Sequence, residues 1–347
     1  MTEIRAACSP GEVRIAVTDH DTLLDVALWR PGCPDGLEDW HVVRVQKAAP
    51  ALGGAFVLLE DGQSGFLSTR DALIEGALTA ARVSRSAQNG KGLRLRRADM
   101  PAEPPSAPKL LERGPTPLDE LANRYPDAPI FVDDAGIAAK LPVRLRPRLQ
   151  RCQQAFDGAL EADFDNLGSS EADLGLLTAS FFPTPALIAI DLDSTGAPDF
   201  KGNVAAFPEL ARQIRLRNLS GTILVDPAGV KTRKRAALAP FFREALSGDP
   251  LKPEVLGATP SGLLELTRPR RRPPLHELLS SPQGQALSIL RTILREERTG
   301  QTLTTSISLI KALESDPVAL AEFISRRART LNLVLDPNAP PASWSLS

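Results

Sequence analysis

Sulfur and imidazole are scarce in this 347-residue chain, and their scarcity removes whole classes of chemistry. The three cysteines, Cys8, Cys33 and Cys152, are odd in number, far apart, and form no Cys-x-x-Cys pair. That excludes a disulfide framework and a cysteine-built zinc site, and it fits a reducing compartment. With only three histidines, a histidine-built metal centre is also excluded as a working idea, so any metal must be a hard cation on oxygen ligands. No apolar run approaches the roughly 18 residues of a membrane span, and MTEIRAACSPGEVRI lacks the apolar core of a signal peptide. A cytoplasmic, membrane-free protein is expected. Nor is there an excess of either charge. The formal net charge is −1, so any polyanion-binding role must rest on local clustering.

What is present is enough apolar sequence, 42%, to bury substantial cores, over a length that suggests two domains or more. Residues 12–31 read as a hairpin: Val13, Ile15 and Val17 alternate, and His20-Asp21 turns into LLDVALW. Between 38 and 98 come WHVVRVQ, GGAFVLLE, SGFLS, LTAARVSR and GLRLRR, with polar turns between them. Five short strands at this spacing have the rhythm of an OB-fold barrel. Six prolines in 99–117 predict a linker. LDELANRYP then reads as a helix and APIFVDD as a strand, followed by a less regular acidic stretch at 160–185. A helix is expected over 209–218, with Leu210, Ile214 and Leu216 inward and Arg212, Arg215 and Arg217 outward. Another is expected from Thr232 to Leu246. The tail reads as a helix over 283–298, a strand-like TLTTSISLI, a helix opened by Asp316 with Pro317 at its first position, and a strand, LNLVL.

The chemistry concentrates at two strand ends. ALIAIDLDSTG (186–196) runs an apolar strand into Asp191 and Asp193 before a Ser-Thr-Gly turn, and GTILVDPAG (221–229) ends on Asp226. Joined by the intervening helix, the two runs form a βαβ unit, which requires parallel strands. Both carboxylates then lie at the C-terminal edge where open α/β sheets place ligands, on strands about 4.8 Å apart. Asp193, two residues on, points to the same side as Asp191. Clustered carboxylates are costly without a cation, and Mg²⁺ (or Mn²⁺) suits one or two of them together with phosphate oxygens. Such an ion can activate water and stabilise a charged transition state. The alternative is that each aspartate merely caps its turn. Three basic runs flank the unit, at Arg212/Arg215/Arg217, Lys231–Arg235 and Arg268–Arg272, and favour a polyanion over a simply solvated face. In the barrel segment, Phe56 and Phe66 are either core residues or a stacking platform for bases, beside Arg85 and Lys91.

Read in order, these segments resemble the ribonuclease E/G family. EVRIAVTDHDTLLDVAL resembles its opening hairpin, PALGGAFVLLEDGQSGFL its OB-fold segment, and NGKG the loop whose lysine approaches the substrate. ALIAIDLDSTG and NVAAFPELARQIRLRNLSGTILVD are similar to its metal-binding block, and SGLLELTR to the segment before its zinc-link. The resemblance implies a Mg²⁺-dependent endoribonuclease that cuts single-stranded RNA to 5′-phosphate and 3′-hydroxyl ends. Asp191, Asp193 and Asp226 are then catalytic, with Asp191 and Asp226 as metal ligands. Phe56, Phe66, Arg85 and Lys91 bind RNA. It also implies a multidomain α+β and α/β architecture. Residues 1–37 and 118–160 would form an RNase H-like subdomain and 38–98 an OB-fold, with 99–117 as linker. A mixed-sheet catalytic domain would follow at 161–280 and a small α+β domain at 281–347.

The chain departs from the family pattern at several positions. Asp193 stands where the family has Asn, Pro260 and Ser261 precede Gly262 where an Arg is expected, and Gly229 replaces an acidic position of some members. HELLSSPQG stands in place of the paired zinc-link cysteines, so no zinc is expected, and any oligomer must form without a cysteine zinc-link. The prolines of 99–117 bridge the place of the 5′-monophosphate sensor, so cleavage indifferent to the 5′ end is expected. A non-catalytic RNA-binding protein of the same family is the competing expectation. A nucleotide-sugar transferase using Asp-Leu-Asp ranks lower, because the barrel-like first segment supplies no dinucleotide-binding domain.

Overall fold

The computed structural model describes residues 1–194, 196 and 199–347, and it is a mixed α+β structure. The turn expected after Asp193 includes Thr195, which lies outside the described residues. Among the described residues no helix is long and apolar enough to cross a membrane.

The first sheet has five strands, in the order Leu149–Arg151, Ile130–Val132, Thr2–Ser9, Glu12–Asp19 and Thr22–Trp29. It therefore joins the chain's start to a segment more than a hundred residues later, through parallel pairing of Ile4 with Ile130. The expected hairpin is present, turning at His20–Asp21. Its partner Thr2–Ser9 is a strand that the sequence pattern does not predict, because TEIRAACS alternates weakly.

Strands Trp40–Ala49, Gly54–Leu58, Ser64–Ser68, Leu78–Arg85 and Leu93–Arg97 close into a five-stranded barrel. Alternation drives the closure: Val43, Val45, Ala55, Val57, Leu67, Val83 and Leu95 fill the interior. The proline-rich segment is not only a linker. Lys109–Glu112 adds an edge strand to the barrel beside Trp40–Ala49, because the six residues between Pro108 and Pro115 carry no proline and an edge strand tolerates prolines at its ends.

The third sheet carries the acidic strand ends. Its six strands run in the order Glu171–Asp173, Thr178–Pro183, Ile188–Asp193, Gly221–Asp226, Leu264–Arg268 and Glu254–Ala258. Only the central pair, Ile188–Asp193 with Gly221–Asp226, is parallel, and the helix Phe200–Leu216 connects it. That helix begins nine residues before the expected start. Asp199 caps it, accepting from the Gly202 N–H at 2.8 Å, and Pro208 sits within it. One face of the sheet packs on this helix and on Ala239–Ala245, around Phe207 and Phe242, whose ring centroids are 4.9 Å apart. The helix expected over Thr232–Leu246 is interrupted by a 3₁₀ turn at Ala236–Leu238.

Arg217 is not outward. At 4% exposure it donates to the carbonyls of Leu167, Ser169 and Glu171 and lies over the Phe181 ring, and burial pushes its pKa down to about 10. Residues 210, 214 and 217 fall on one helical stripe, so the arginine shares the apolar face. Arg212 and Arg215 bond the carbonyls of Leu23 and Leu24 on the first sheet, so this basic run is structural.

In the last unit, Pro282–Arg295, Ile307–Glu314 and Pro317–Arg327 are helices against the strands Thr302–Thr305, Asn332–Leu335 and Trp344–Leu346. The strand reading of TLTTSISLI ran too far: the chain turns helical at Ile307. Asp316 caps its helix, accepting from Ala319 N at 3.0 Å. Glu12, 1% exposed, ties this unit to the first sheet by holding Arg291 at 3.0 Å and Arg30 at 3.1 Å.

Burial also holds His41 and His276 below the ordinary imidazole value of 6.5, with Arg217 adding to the effect at His276. A depressed folded-state pKa means the unfolded chain binds more protons below 6.5. The stability each neutral ring contributes is then whole above that pH and lost as pH falls below it. The urea midpoint is expected to fall from pH 7.5 to pH 5.5, and by less in a His41→Gln/His276→Gln variant. An equal fall in both proteins would contradict this.

Candidate active site

The central parallel pair sets the site. Asp191 is the direct register partner of Asp226, and on its other side Asp191 faces Ser180. Alternation divides the residues: Ile188, Ile190, Leu192, Ile223 and Val225 are buried against the helices, while Asp191, Asp193 and Asp226 occupy the opposite, open face. Desolvation, then the charges of Asp226 and Asp193, push the Asp191 carboxyl above its usual range. This mutual repulsion is what a bound cation relieves.

The two facing carboxylates fit a magnesium ion, which takes one or two and retains waters. Among the described residues no group of three or more Asp, Glu, His or Cys is close enough to hold a metal. Asp193 therefore does not complete a three-carboxylate cage here, and its Oδ1 accepts from the Ser194 N–H at 2.7 Å.

Sequence reasoning missed three residues around the pair, Arg235, Asn203 and Phe182, and one on the barrel, Arg94. Arg235 donates through Nη1 to Asp226 Oδ1 at 2.5 Å and is itself steadied by the Val230 carbonyl at 2.7 Å. In the sequence it is one charge of the run Lys231–Arg235. Gly262, at φ +92°, makes room for it, since a Cβ there would sit 2.9 Å from Arg235 Cδ. Asn203, fully buried, clamps the loop behind Asp226: its Nδ2 donates to the Ala228 carbonyl at 2.8 Å and its Oδ1 accepts from the Ala228 N–H at 3.1 Å. A polar amide in a helix otherwise rich in good formers was the available signal. Phe182 is 54% exposed on the same face as Ser180, and it is opposite Ala189, two residues from Asp191. Diagonal neighbours of that kind lie about 7–8 Å apart. Arg94 lies in the strand Leu93–Arg97, and the sequence carries no further signal for it.

Asn203→Leu keeps volume but leaves both backbone groups of Ala228 unpaired. A loss of about 2 kcal/mol or more is expected in urea denaturation. Unchanged stability would mean the clamp is idle.

On the barrel, Phe56 and Phe66 are direct partners on the outer surface, edge to face, with centroids 5.4 Å apart. Phe56 is 41% exposed, so it is not a core residue. Arg94 lies 5.8 Å over the Phe66 ring, and Arg85 is the register partner of Arg94. Lys91 is exposed at a hairpin tip where Asn89 and Gly90 both take positive φ, the geometry of an Asn-Gly turn. The aromatic row and the acidic pair thus stand on different sheets. The barrel hairpin connects them, donating from Ser86 N to the Arg271 carbonyl at 2.8 Å.

The other basic runs divide between structure and surface. Arg268 is buried on Asp249, and Arg271 and Arg272 pair with Glu38 and Asp35, whereas Lys231, Arg233 and Lys234 are exposed.

Residues 181–271, the stretch holding both carboxylates, match a family model described as "Ribonuclease E/G family". Ribonuclease E of Synechocystis sp. is 35% identical over 109 residues, which is 29% of this chain and 16% of that protein. A ribonuclease E/G-like protein of Pyropia yezoensis is 37% identical over 92 residues, 26% of this chain and 18% of that one. For ribonuclease E of Escherichia coli the match is 30% over 169 residues, 42% of this chain and 15% of the relative. The chain thus spans less than a fifth of the length of these relatives. The matched segment is the sheet that pairs Asp191 with Asp226, and in that segment the chain is similar to the ribonuclease E/G family.

Proposed function

We propose that this protein is a Mg²⁺-dependent endoribonuclease acting on single-stranded RNA in RNA processing or decay. The observation that carries this reading is the in-register Asp191–Asp226 pair on an open sheet face within the family-matched segment. Asp191 and Asp226 would hold the ion. When bound, it supplies charge stabilisation at the phosphoryl oxygens and lowers the pKa of an attacking water. The chain's own residues do the rest. Phe56 and Phe66 stack bases on a barrel read as an OB-fold, Arg85 and Lys91 neutralise phosphates, Asn203 fixes the loop behind Asp226, and Phe182 offers a stacking face beside the pair. The expected products carry 5′-phosphate and 3′-hydroxyl ends.

Independence from the 5′ end draws support from the connection after the barrel. Arg97 closes its last barrel strand, and the helix Pro117–Arg124 follows after one short edge strand, which leaves no inserted domain between them. Zinc has no cysteine pair to bind it in this reading.

The second reading, RNA binding without cleavage, is favoured by one observation: Arg235 already neutralises Asp226 at 2.5 Å. One assay separates the two. A labelled AU-rich single-stranded oligonucleotide is incubated with Mg²⁺ or EDTA, bearing a 5′-hydroxyl or a 5′-monophosphate. Metal-dependent cutting at comparable rates on both ends is the expected result. Tight binding without cutting selects the second reading, and strong 5′-monophosphate stimulation removes the sensor-free one.

A further inference from the structure

A lateral row of side chains crosses four barrel strands: Phe56 faces Phe66, Phe66 faces Arg94, and Arg94 faces Arg85. The row does not stop at the barrel. Ser86 N donates to the Arg271 carbonyl at 2.8 Å and Asn89 N to Glu277 Oε1 at 2.6 Å, which pins the barrel hairpin to the segment leaving the catalytic sheet. Arg270 is thereby brought alongside Arg85. Burial, then the charges of Arg94 and Arg270, lower the Arg85 pKa, as expected of guanidinium groups crowded together.

These three arginines differ from their neighbours. Arg96 is paired with Glu38, Arg97 with Asp71, Arg271 with Glu38 and Arg272 with Asp35. Among the described residues, Arg85, Arg94 and Arg270 have no carboxylate partner. Arg94 bonds Ser68 Oγ at 2.8 Å, Arg270 reaches only the Ala186 carbonyl at 3.5 Å, and the buried Nε atoms of Arg85 and Arg270 have no hydrogen-bond partner at all. The position of Arg270 is also built for. Gly221, at φ +89°, leaves space that a Cβ would fill, 2.3 to 2.6 Å from the guanidinium atoms. Gly221 opens the strand that Asp226 closes, five residues or about 16 Å further on. Three unpaired guanidiniums in a chain of net charge −1 form a donor array in want of an anion.

We propose that Arg94, Arg85 and Arg270 form a phosphodiester subsite that carries the RNA backbone from the barrel aromatics onto the sheet bearing Asp191 and Asp226. This rests on the endoribonuclease reading and adds to it where the strand crosses between the two sheets. A terminal 5′-phosphate has the same chemistry. The row continues on both sides, to the stacked rings and to the sheet, so a strand passing through is the occupant it fits.

The test is binding of the full chain to a fluorescein-labelled single-stranded RNA in EDTA, with Kd read against salt concentration. Each phosphate contact contributes a slope of about 0.7 on single strands, so Arg94→Gln/Arg85→Gln/Arg270→Gln is expected to lose about 2. The three-lysine variant should retain the slope, as should Arg97→Gln, and a thermal melt checks that each variant is folded. Neutral methylphosphonate linkages between the stacked bases and the cleavage point should weaken the wild type but not the triple variant. A wild-type slope in the folded triple variant, with the wild type still cutting, overturns this subsite alone. A loss confined to 5′-monophosphorylated RNA overturns the internal-phosphate assignment. Slope lost as expected, with no Mg²⁺-dependent cutting by the wild type, upholds the subsite and removes the endoribonuclease reading.

Discussion

Asp191→Asn is expected to slow Mg²⁺-dependent cleavage of single-stranded RNA by on the order of a thousandfold while RNA affinity in EDTA stays within about twofold. Asparagine keeps the size and one acceptor of the carboxylate but removes its charge, and charge is the property that the register pair concentrates. The side chain sits on the open face beside Ser180 and Asp226, so the fold loses no buried contact. Asp226→Asn should behave alike, with Arg235 left facing a neutral amide instead of a carboxylate. The two changes together should cost little more than either alone, because residues that act as a unit are not additive. Steady-state cleavage beside fluorescence-polarisation binding checks both halves. A variant that binds RNA poorly would assign Asp191 to the RNA path instead of the reaction, and one that cuts at the wild-type rate would remove it from the site.

The second large effect is on stability and falls on a residue with no part in the chemistry. Asp249→Ala is expected to destabilise the sheet that carries Asp191 and Asp226 by about 3–5 kcal/mol, because it strands a buried guanidinium. Arg268 and Asp249 are 3% and 2% exposed in their side chains and meet at 2.8 Å, and Arg268 also bonds Asn218 Oδ1 and the Leu219 carbonyl. Arg270→Ala, two residues away, should change stability by no more than about 0.5 kcal/mol, since no carboxylate among the described residues depends on it. Urea denaturation of the two variants side by side reads the contrast. Equal effects would mean that the arginine run is one uniform face.

That contrast also shows what the sequence could and could not disclose. The run Arg268–Arg272 looks like a single basic surface, yet Leu264, Leu266 and Arg268 share one strand parity and are buried together. The alternation is legible, but Arg268 also opens the basic run, which hides its burial. Arg217 escaped in the same way on a helix. By contrast, the two apolar runs ending in Asp191 and Asp226 could be read directly, because a helical crossover of this length suits parallel pairing, and parallel pairing brings both C-terminal ends to one edge of the sheet. The five barrel strands were also legible, from alternation and turn residues. Their closure was not, because pairing of Arg44 with Leu58 and with Leu78 is a long-range fact that no local pattern carries. The Arg235–Asp226 ion pair depends on the left-handed turn at Gly262, which lies 27 residues beyond Arg235.

Manganese titrated into the full chain and followed by electron paramagnetic resonance tests the shared-cation assignment most directly. The wild type should bind about one ion per chain, competed by Mg²⁺, and the Asp191→Asn/Asp226→Asn variant should lose that ion while keeping its fold. An undiminished ion in the folded double variant would contradict the account.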